Sequence, residues 1–200
     1  MKHLIFLIGF VGALSCAQGK QPISGETDYQ KEMNAKFKDA STSPLKDKDR
    51  KNFKGLNFFK FDSSYVVQAT LKRTPNEQPF KMKTTTDRTP EYVKYGEVSF
   101  ELKGELYQLN IYQNLELLDV EGYEDYLFLP FLDDTNGDET YGGGRYVEGR
   151  IPDGDTITID FNTAYNPYCA YNEKYSCPIV PRENYLALKV EAGVKAFEKH

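Results

Sequence analysis

The stretch EVSFELKGELYQLNIYQ, residues 97–113, decides the fold class. Apolar side chains occupy every second position in both halves of it, at Val98, Phe100, Leu102, Tyr107, Leu109 and Ile111. A period of two is typical of a strand that buries one face. The dipeptide Lys103-Gly104 between the two halves predicts a tight turn. We therefore expect two neighbouring strands that pair antiparallel.

The same alternation recurs elsewhere in the chain. It is found in SYVVQATLK (residues 64–72), TITIDF (156–161, after the turn signal Pro-Asp-Gly) and YLALKV (185–190). No helices alternate with these strands, which favours an antiparallel β-sandwich or barrel-like domain over a parallel sheet. Near the N-terminus, Tyr29, Met33 and Phe37 recur every fourth residue. This spacing predicts a short helix packed on a mainly β domain.

The first residues are typical of a secretory signal. Lys2 and His3 precede an apolar run over residues 4–14, and small residues then lead to Cys16. We interpret residues 1–15 as a signal peptide, 16–25 as a tether and 26–200 as one β-rich domain. The sequence ALSC resembles a bacterial lipobox, so Cys16 is predicted to carry lipid and to hold the protein on a membrane of the cell envelope, facing the periplasm or the surface. The alternative is an ordinary signal followed by a free Cys16.

Charge and histidine content exclude some functions. The net charge is −5, with 15 basic and 9 acidic residues over 17–90 but 9 and 21 over 91–200. Nucleic acid is an improbable partner for an acidic, lipid-anchored protein. The chain has two histidines, His3 and His200. Hydrolysis that needs an imidazole base is therefore nearly excluded, and we expect no metal or other cofactor.

Two cysteines remain after Cys16. Cys169 and Cys177 are eight positions apart, and an even number of cysteines in an oxidising compartment predicts a disulfide. Zinc is a weaker interpretation, because a zinc site usually needs four ligands.

The region after residue 132 has the most unusual composition. Its acidic loop contains Asp133, Asp134, Asn136, Asp138 and Glu139. Such oxygen ligands suit calcium, although a solvated acidic turn explains them better. Three glycines, 142–144, then precede Arg145. They predict either a backbone nest that binds an anion with Arg145, or a tight bend in which Arg145 pairs with a nearby carboxylate.

Three segments carry a resemblance to a known family. They are GLNFFKFDSSYVV (55–67), FLPFLDDTNGDETYGGGRYVE (128–148) and IDFNTAYNPYCAYNEKYSCPIVPRENYLALKVEAGVK (159–195). Together they resemble the bacterial domain of unknown function 1684 family. Tyr168 stands where that pattern usually has proline. The resemblance implies one domain and draws attention to two polar signatures, but it implies no mechanism.

Polar residues of these signatures form the predicted site. They are Glu139, Tyr141, Arg145, Asp160, Asn162, Tyr165 and Asn166. Arg145 would neutralise an anionic group, the asparagines would donate amide hydrogen bonds, and the tyrosines would supply ring faces and hydroxyls. The first hypothesis is an envelope-anchored domain that binds a small anionic or polar ligand or acts as an accessory protein. The alternatives are a histidine-free hydrolase that uses Glu139 and Asp160, and a purely structural envelope module.

Overall fold

The computed structural model describes residues 27–197. The predicted signal peptide, Cys16 and the tether lie outside the described residues. Within that range the helices are α1 (Asp28–Lys38) and α2 (Asp47–Lys51), and the strands are β1 (Val66–Arg73), β2 (Phe80–Lys81), β3 (Glu91–Leu102), β4 (Glu105–Asn114), β5 (Tyr126–Asp133), β6 (Arg145–Arg150), β7 (Thr156–Asp160) and β8 (Tyr185–Leu186). No helix in this part of the chain is both long and apolar enough to span a membrane.

The strands form one curled sheet in the order β6-β5-β4-β3-β1-β7, with β2 added to β3 and β8 added to β5. All pairs are antiparallel except β5 with β8. The two end strands approach each other, since a Cβ added at Gly149 in β6 would lie 3.2 Å from Ile157 in β7. The sheet is thus a half-barrel around one core, which confirms the predicted mainly β, antiparallel, barrel-like class with a short helix near its N-terminus.

The hairpin predicted from residues 97–113 is confirmed. Leu102 of β3 pairs with Glu105 of β4. Lys103 and Gly104 both have positive φ, at 53° and 85°, as a two-residue turn between twisted strands requires. The alternating apolar residues of both strands lie in the main core.

The last predicted strand is shorter than expected. Of residues 185–190, only Tyr185–Leu186 forms a strand, and it runs parallel to β5. The next residues do not continue a strand ladder and instead bond to the end of β5 and to the residue that follows it. Leu188 O accepts from the Asp134 amide at 3.0 Å, and the Val190 amide donates to the Asp133 carboxylate at 2.7 Å.

Strand β5 is covered on both faces. Leu127, Leu129 and Phe131 point into the main core. Tyr126 and Phe128 point the other way, into a second cluster with aromatic residues of β3, β4 and β6. Because successive side chains of a strand alternate between faces, a strand apolar at nearly every position needs cover on both. We call the second cluster the outer aromatic layer; its buried aromatic members are Tyr92, Tyr112, Tyr126, Phe128 and Tyr146.

Helix α1 packs on the body as the spacing predicted. A capping box between Thr27 and Gln30 satisfies backbone groups at its N-terminus. Phe37 is buried, and its ring meets Tyr171 edge-on with 4.8 Å between centroids. Met33 packs against the same small cluster.

An asparagine side chain joins β4 to β5. These strands pair directly at Tyr112 and Phe128. Two residues from this pair lie Asn110 on β4 and Pro130 on β5. Proline has no N–H with which to continue the ladder. There the Asn184 amide accepts from Asn110 N at 2.9 Å and donates to Asn110 O and Pro130 O, both at 2.7 Å. Asn184 is fully buried, so its side chain replaces missing strand partners.

A buried ion pair joins β5, β6 and the C-terminal segment. Arg145 Nη2 lies 3.1 Å from Asp133 Oδ2, and both side chains are 0% exposed. Arg145 also donates to the carbonyls of Val190 and Ala192, and the Asp133 carboxylate accepts from Thr135 at 2.8 Å. Burial raises the pKa of Asp133 above its ordinary value, although Arg145 acts to lower it. Each charge therefore depends on its partner.

We expect Arg145→Met to lower the free energy of unfolding by about 3–5 kcal/mol, because it leaves Asp133 as an uncompensated buried charge. Urea denaturation measures the change. The matched control is Arg150→Met on the same strand, whose exposed pair with Asp125 should be worth less than about 1 kcal/mol. Adding Asp133→Leu to Arg145→Met should recover part of the loss. Equal losses for Arg145→Met and Arg150→Met would contradict the assignment.

Asn184→Ala is expected to cost about 2–4 kcal/mol of unfolding free energy, since buried backbone groups of Asn110 and Pro130 lose their partner. The same denaturation experiment applies. Asn76→Ala, at an exposed position, is the control and should change stability by less than about 0.5 kcal/mol. A loss at Asn184 no larger than that of the control would show that the ladder closes without the side chain.

Candidate functional site

A cavity of about 510 Å³ lies against the outer aromatic layer. Eight tyrosines of the described chain line it, together with Phe128: Tyr29, Tyr92, Tyr123, Tyr126, Tyr146, Tyr165, Tyr168 and Tyr175. We call this cavity the tyrosine pocket. Its volume falls in the range of small-molecule sites, which are mostly apolar with a few oriented polar groups.

Strand alternation positions the floor of the tyrosine pocket. In β6, Arg145 and Val147 are buried toward the core, whereas Tyr146 and Glu148 lie on the opposite face and line the pocket. In β5, Tyr126 does the same. The rings interlock, since Phe128 and Tyr146 meet edge-on with 4.7 Å between centroids. The floor is therefore a rigid aromatic surface.

The opposite wall comes from two other parts of the chain. Helix α1 contributes Tyr29, Glu32, Met33 and Lys36. The loop over residues 163–178 contributes Thr163, Tyr165, Pro167, Tyr168, Tyr175, Ser176, Cys177 and Pro178. Tyr165 fixes this loop to β6 through backbone hydrogen bonds in both directions with Tyr146, at 2.9 and 3.0 Å. The pocket is thus formed between a helix, a loop and the sheet.

Glu148 is a carboxylate that lines the tyrosine pocket. Its Oε1 accepts from the Tyr165 hydroxyl at 2.8 Å, and its side chain is exposed at the pocket. Burial raises the pKa of Tyr165 well above its ordinary value, and nearby Tyr126 and Glu148 add to the shift. Burial also raises the pKa of Tyr92 to about 12. These hydroxyls therefore stay protonated near neutral pH and remain hydrogen-bond donors.

Within the described chain, the charged side chains that line the pocket are two carboxylates and one cation. The lining carboxylates belong to Glu32 and Glu148, and the lining cation is Lys36. Lys36 Nζ lies 5.5 Å from the centroid of the Tyr168 ring, and the Arg150 guanidinium lies 5.9 Å from that of Tyr126. Both distances allow a cation–π attraction. The protein's own cations thus already contact tyrosine faces of this pocket.

Of the residues predicted as a site, Tyr165 lines the tyrosine pocket and Arg145 does not. Arg145 is enclosed in the ion pair described above, so the predicted role as an anion-binding cation is wrong. The preceding glycines form a tight bend. Gly144 has φ +88°, and a Cβ there would lie 2.6 Å from Phe131 O. Of the two interpretations of this segment, the structure agrees with the tight bend in which Arg145 pairs with a nearby carboxylate.

The remaining predicted residues have separate surroundings. Glu139 pairs with Lys189 at 3.4 Å. Asp160 caps the short helix Phe161–Thr163 by accepting from the Asn162 amide at 2.9 Å. The Asn162 side chain bonds to both backbone groups of Asp62, at 3.0 Å each. Asn166 donates to Lys195 O at 2.9 Å. These polar groups hold loops together. Glu139 and Asp160 have different partners, and neither lines the tyrosine pocket.

The acidic loop is held by internal hydrogen bonds and ion pairs. Asn136 accepts from the Asp133 amide at 2.8 Å, the Tyr185 hydroxyl donates to Asp134, and Asp138 lies 3.6 Å from Lys189. Over residues 27–197, no group of three or more histidine, cysteine or acidic side chains is arranged to hold a metal ion. The acidic loop is thus a turn held by hydrogen bonds and ion pairs within the protein.

Cys169 and Cys177 lie beside each other as free cysteines. The Cys169 amide donates to Cys177 Sγ at 3.1 Å. The predicted disulfide is therefore absent from this structure, although the predicted proximity is present. Tyr141, another predicted site residue, has its hydroxyl 3.9 Å from Cys169 Sγ.

Most residues of the tyrosine pocket were missed from the sequence. Of the eight tyrosines in the described chain that line it, only Tyr165 belongs to the predicted site. A signal was present in β6, where the alternation that buries Arg145 also places Tyr146 and Glu148 together on the other face.

Comparison with known proteins gives a family but no activity. A family described as "Protein of unknown function (DUF1684)" matches residues 51–195. The solution NMR structure of an uncharacterized protein from Haloarcula marismortui is similar, with a TM-score of 0.66 and 36% identity. The alignment covers 86% of this chain and 92% of that one. Among curated proteins, none matches this chain. The match over most of its length shows that this chain belongs to the DUF1684 family.

Proposed function

We propose that this protein binds a small molecule in the tyrosine pocket. The observation that carries the proposal is a 510 Å³ cavity with eight lining tyrosines and an exposed carboxylate, Glu148, oriented by Tyr165. Aromatic rings bind flat apolar faces with little loss of conformational entropy, and a few oriented polar groups give specificity. This arrangement suits recognition of a ligand that has both an apolar face and a polar group.

The charges of the pocket select the ligand class. With Arg145 enclosed in the core, the lining carboxylates Glu32 and Glu148 outnumber the lining cation Lys36. Ring faces attract cations and disfavour anions. We therefore replace the anionic ligand expected from the sequence with a cationic or neutral polar ligand.

The proposed location is the cell envelope, where lipid on Cys16 would anchor the domain to a membrane. Cys16 precedes the start of α1 at Asp28 by twelve residues. That length spans at most about 40 Å when extended. Since α1 forms one wall of the tyrosine pocket, ligand binding would take place close to the membrane surface.

The hydrolase alternative gains no support. Glu139 is paired with Lys189, and Asp160 is a helix cap. Neither carboxylate lines the tyrosine pocket.

We expect ligand charge to set affinity for the tyrosine pocket. Three probes of similar size test this: benzyltrimethylammonium, benzyl alcohol and phenylacetate. In protein-observed NMR titrations the cation should bind at least about tenfold more tightly than the anion, a difference of about 1.4 kcal/mol. The shifted resonances should belong to pocket residues. Tightest binding by phenylacetate, or shifts confined to other surfaces, would overturn the proposal.

A matched pair of charge variants identifies the carboxylate responsible. Glu148→Gln should weaken binding of benzyltrimethylammonium by about threefold to tenfold and leave benzyl alcohol within about twofold. Glu101→Gln makes the same change at an exposed position on β3. Glu101 is nine residues from the pocket residue Tyr92, roughly 30 Å along the strand. It should alter neither affinity, and equal effects of the two variants would exclude a specific role for Glu148.

Lipidation of Cys16 has its own test. The full chain, expressed in a bacterial host grown with an alkyne fatty acid, should become labelled, and Cys16→Ser should lose the label. Cys177→Ser serves as the control cysteine change and should stay labelled. Persistence of the label in Cys16→Ser, or no label on the unchanged chain, would contradict the anchor.

A further inference from the structure

Two thiols of the described chain are held in one place. Cys169 lies in the short helix Tyr168–Ala170, and Cys177 lies eight residues later. The Cys169 amide donates to Cys177 Sγ at 3.1 Å. The Cys177 sulfur therefore lies against the backbone of the residue that carries the other thiol.

The segment around Cys177 is fixed from the other side by Thr85. The Thr85 amide donates to Cys177 O at 2.9 Å, and the Cys177 amide donates to Thr85 Oγ1 at 3.2 Å. Next to this pair, Ser176 Oγ donates to Thr84 Oγ1 at 2.9 Å. Because these bonds fix the backbone around Cys177, the two thiols stay close to each other.

The surroundings make the two thiols chemically unequal. The Tyr141 hydroxyl lies 3.9 Å from Cys169 Sγ. A hydrogen bond from Cys177 lowers the pKa of Cys169 to about 6, and hydrogen bonds from Thr85 and Tyr141 act in the same direction against burial. The pKa of Cys177 is raised, first by its hydrogen bond to Cys169 and then by burial. A thiolate is the nucleophilic form of cysteine. Cys169 is also partly exposed whereas Cys177 is buried, so Cys169 is the sulfur that an incoming disulfide reaches first.

We propose that Cys169 and Cys177 form a reversible dithiol–disulfide pair in which Cys169 is the attacking thiol and Cys177 the resolving thiol. This assignment goes beyond ligand binding, and it gives the pair a chemical role in place of a permanent structural cross-link.

The reaction with a small disulfide such as oxidised glutathione is balanced. The Cys169 thiolate attacks one glutathione sulfur, the S–S bond breaks, and one glutathione leaves as a thiolate that takes up a proton. Cys177 then loses its proton and attacks the Cys169 sulfur of the mixed disulfide. The second glutathione leaves, and the Cys169–Cys177 bond forms. Two cysteine thiols are oxidised, and one oxidised glutathione is reduced to two thiols.

The resolving thiol connects this pair to the tyrosine pocket. Cys177 lines that pocket, and so do its neighbours Ser176 and Pro178. The Tyr146 hydroxyl on the pocket floor donates to Pro178 O. Oxidation would draw the Cys177 sulfur toward Cys169 and change the wall at this point.

Alkylation kinetics test the order of attack in a Cys16→Ser background, where only Cys169 and Cys177 remain. The rate of iodoacetamide modification should rise with pH around a midpoint near 6 and map to Cys169 by peptide mass spectrometry. In Cys177→Ala the midpoint should move up toward the ordinary thiol value of about 8.5, because Cys169 loses its strongest hydrogen-bond donor. In Cys169→Ser, alkylation of Cys177 should be slow at neutral pH.

Capture with oxidised glutathione gives an independent readout. Cys177→Ser should accumulate a glutathione adduct on Cys169, whereas the protein with both thiols should lose two hydrogen atoms and carry no adduct. Dithiothreitol should restore both thiols in the folded protein. Faster capture at Cys177 than at Cys169, or a disulfide that resists dithiothreitol until the protein is denatured, would overturn the proposal. The pH profile of the protein with both thiols keeps the test decisive even if a variant folds poorly.

Discussion

The buried pair of Asp133 and Arg145 is the interaction on which the arrangement of this protein depends. It connects the end of β5 to the start of β6, and through the backbone of Val190 and Ala192 it holds the C-terminal segment against both strands. A guanidinium without water must have its charge compensated by protein groups, and Asp133 does this for Arg145. Once Arg145 faces inward, strand alternation turns Tyr146 and Glu148 outward. The same contact that closes the core therefore orients the floor of the tyrosine pocket.

The tyrosine pocket exists because β5 and its neighbouring strands are covered on both faces of the sheet. The inner face of the sheet surrounds the main core, and the outer aromatic layer needs a second cover from α1 and the 163–178 loop. Where helix and loop do not meet, tyrosine faces remain open between them. The dithiol lies in the same loop, with Cys177 at the pocket wall. The proposed ligand pocket and the proposed thiol pair thus share one covering segment.

Much of the fold could be predicted from the sequence, because apolar residues at every second position indicate which face of a strand is buried. The hairpin at Lys103-Gly104 and the helix carrying Phe37 needed only local patterns. The site could not be predicted in the same way, since its walls join Tyr29, Tyr92 and Tyr146 from distant parts of the chain. The predicted role of Arg145 in anion binding failed for a related reason. A charged residue after three glycines suggests a ligand site, and its burial is decided by a carboxylate twelve residues earlier on another strand.

The side chain of Asn184 also affects how this protein behaves toward other copies of itself. Free N–H and C=O groups between two strands are a template on which an extended segment of another molecule can add itself, which is a common start of aggregation. Asn184 fills that position with an amide that satisfies Asn110 and Pro130. Unlike a strand, a single side chain offers no new backbone edge to the next molecule. The half-barrel is therefore protected against intermolecular strand addition at the point where proline interrupts its ladder.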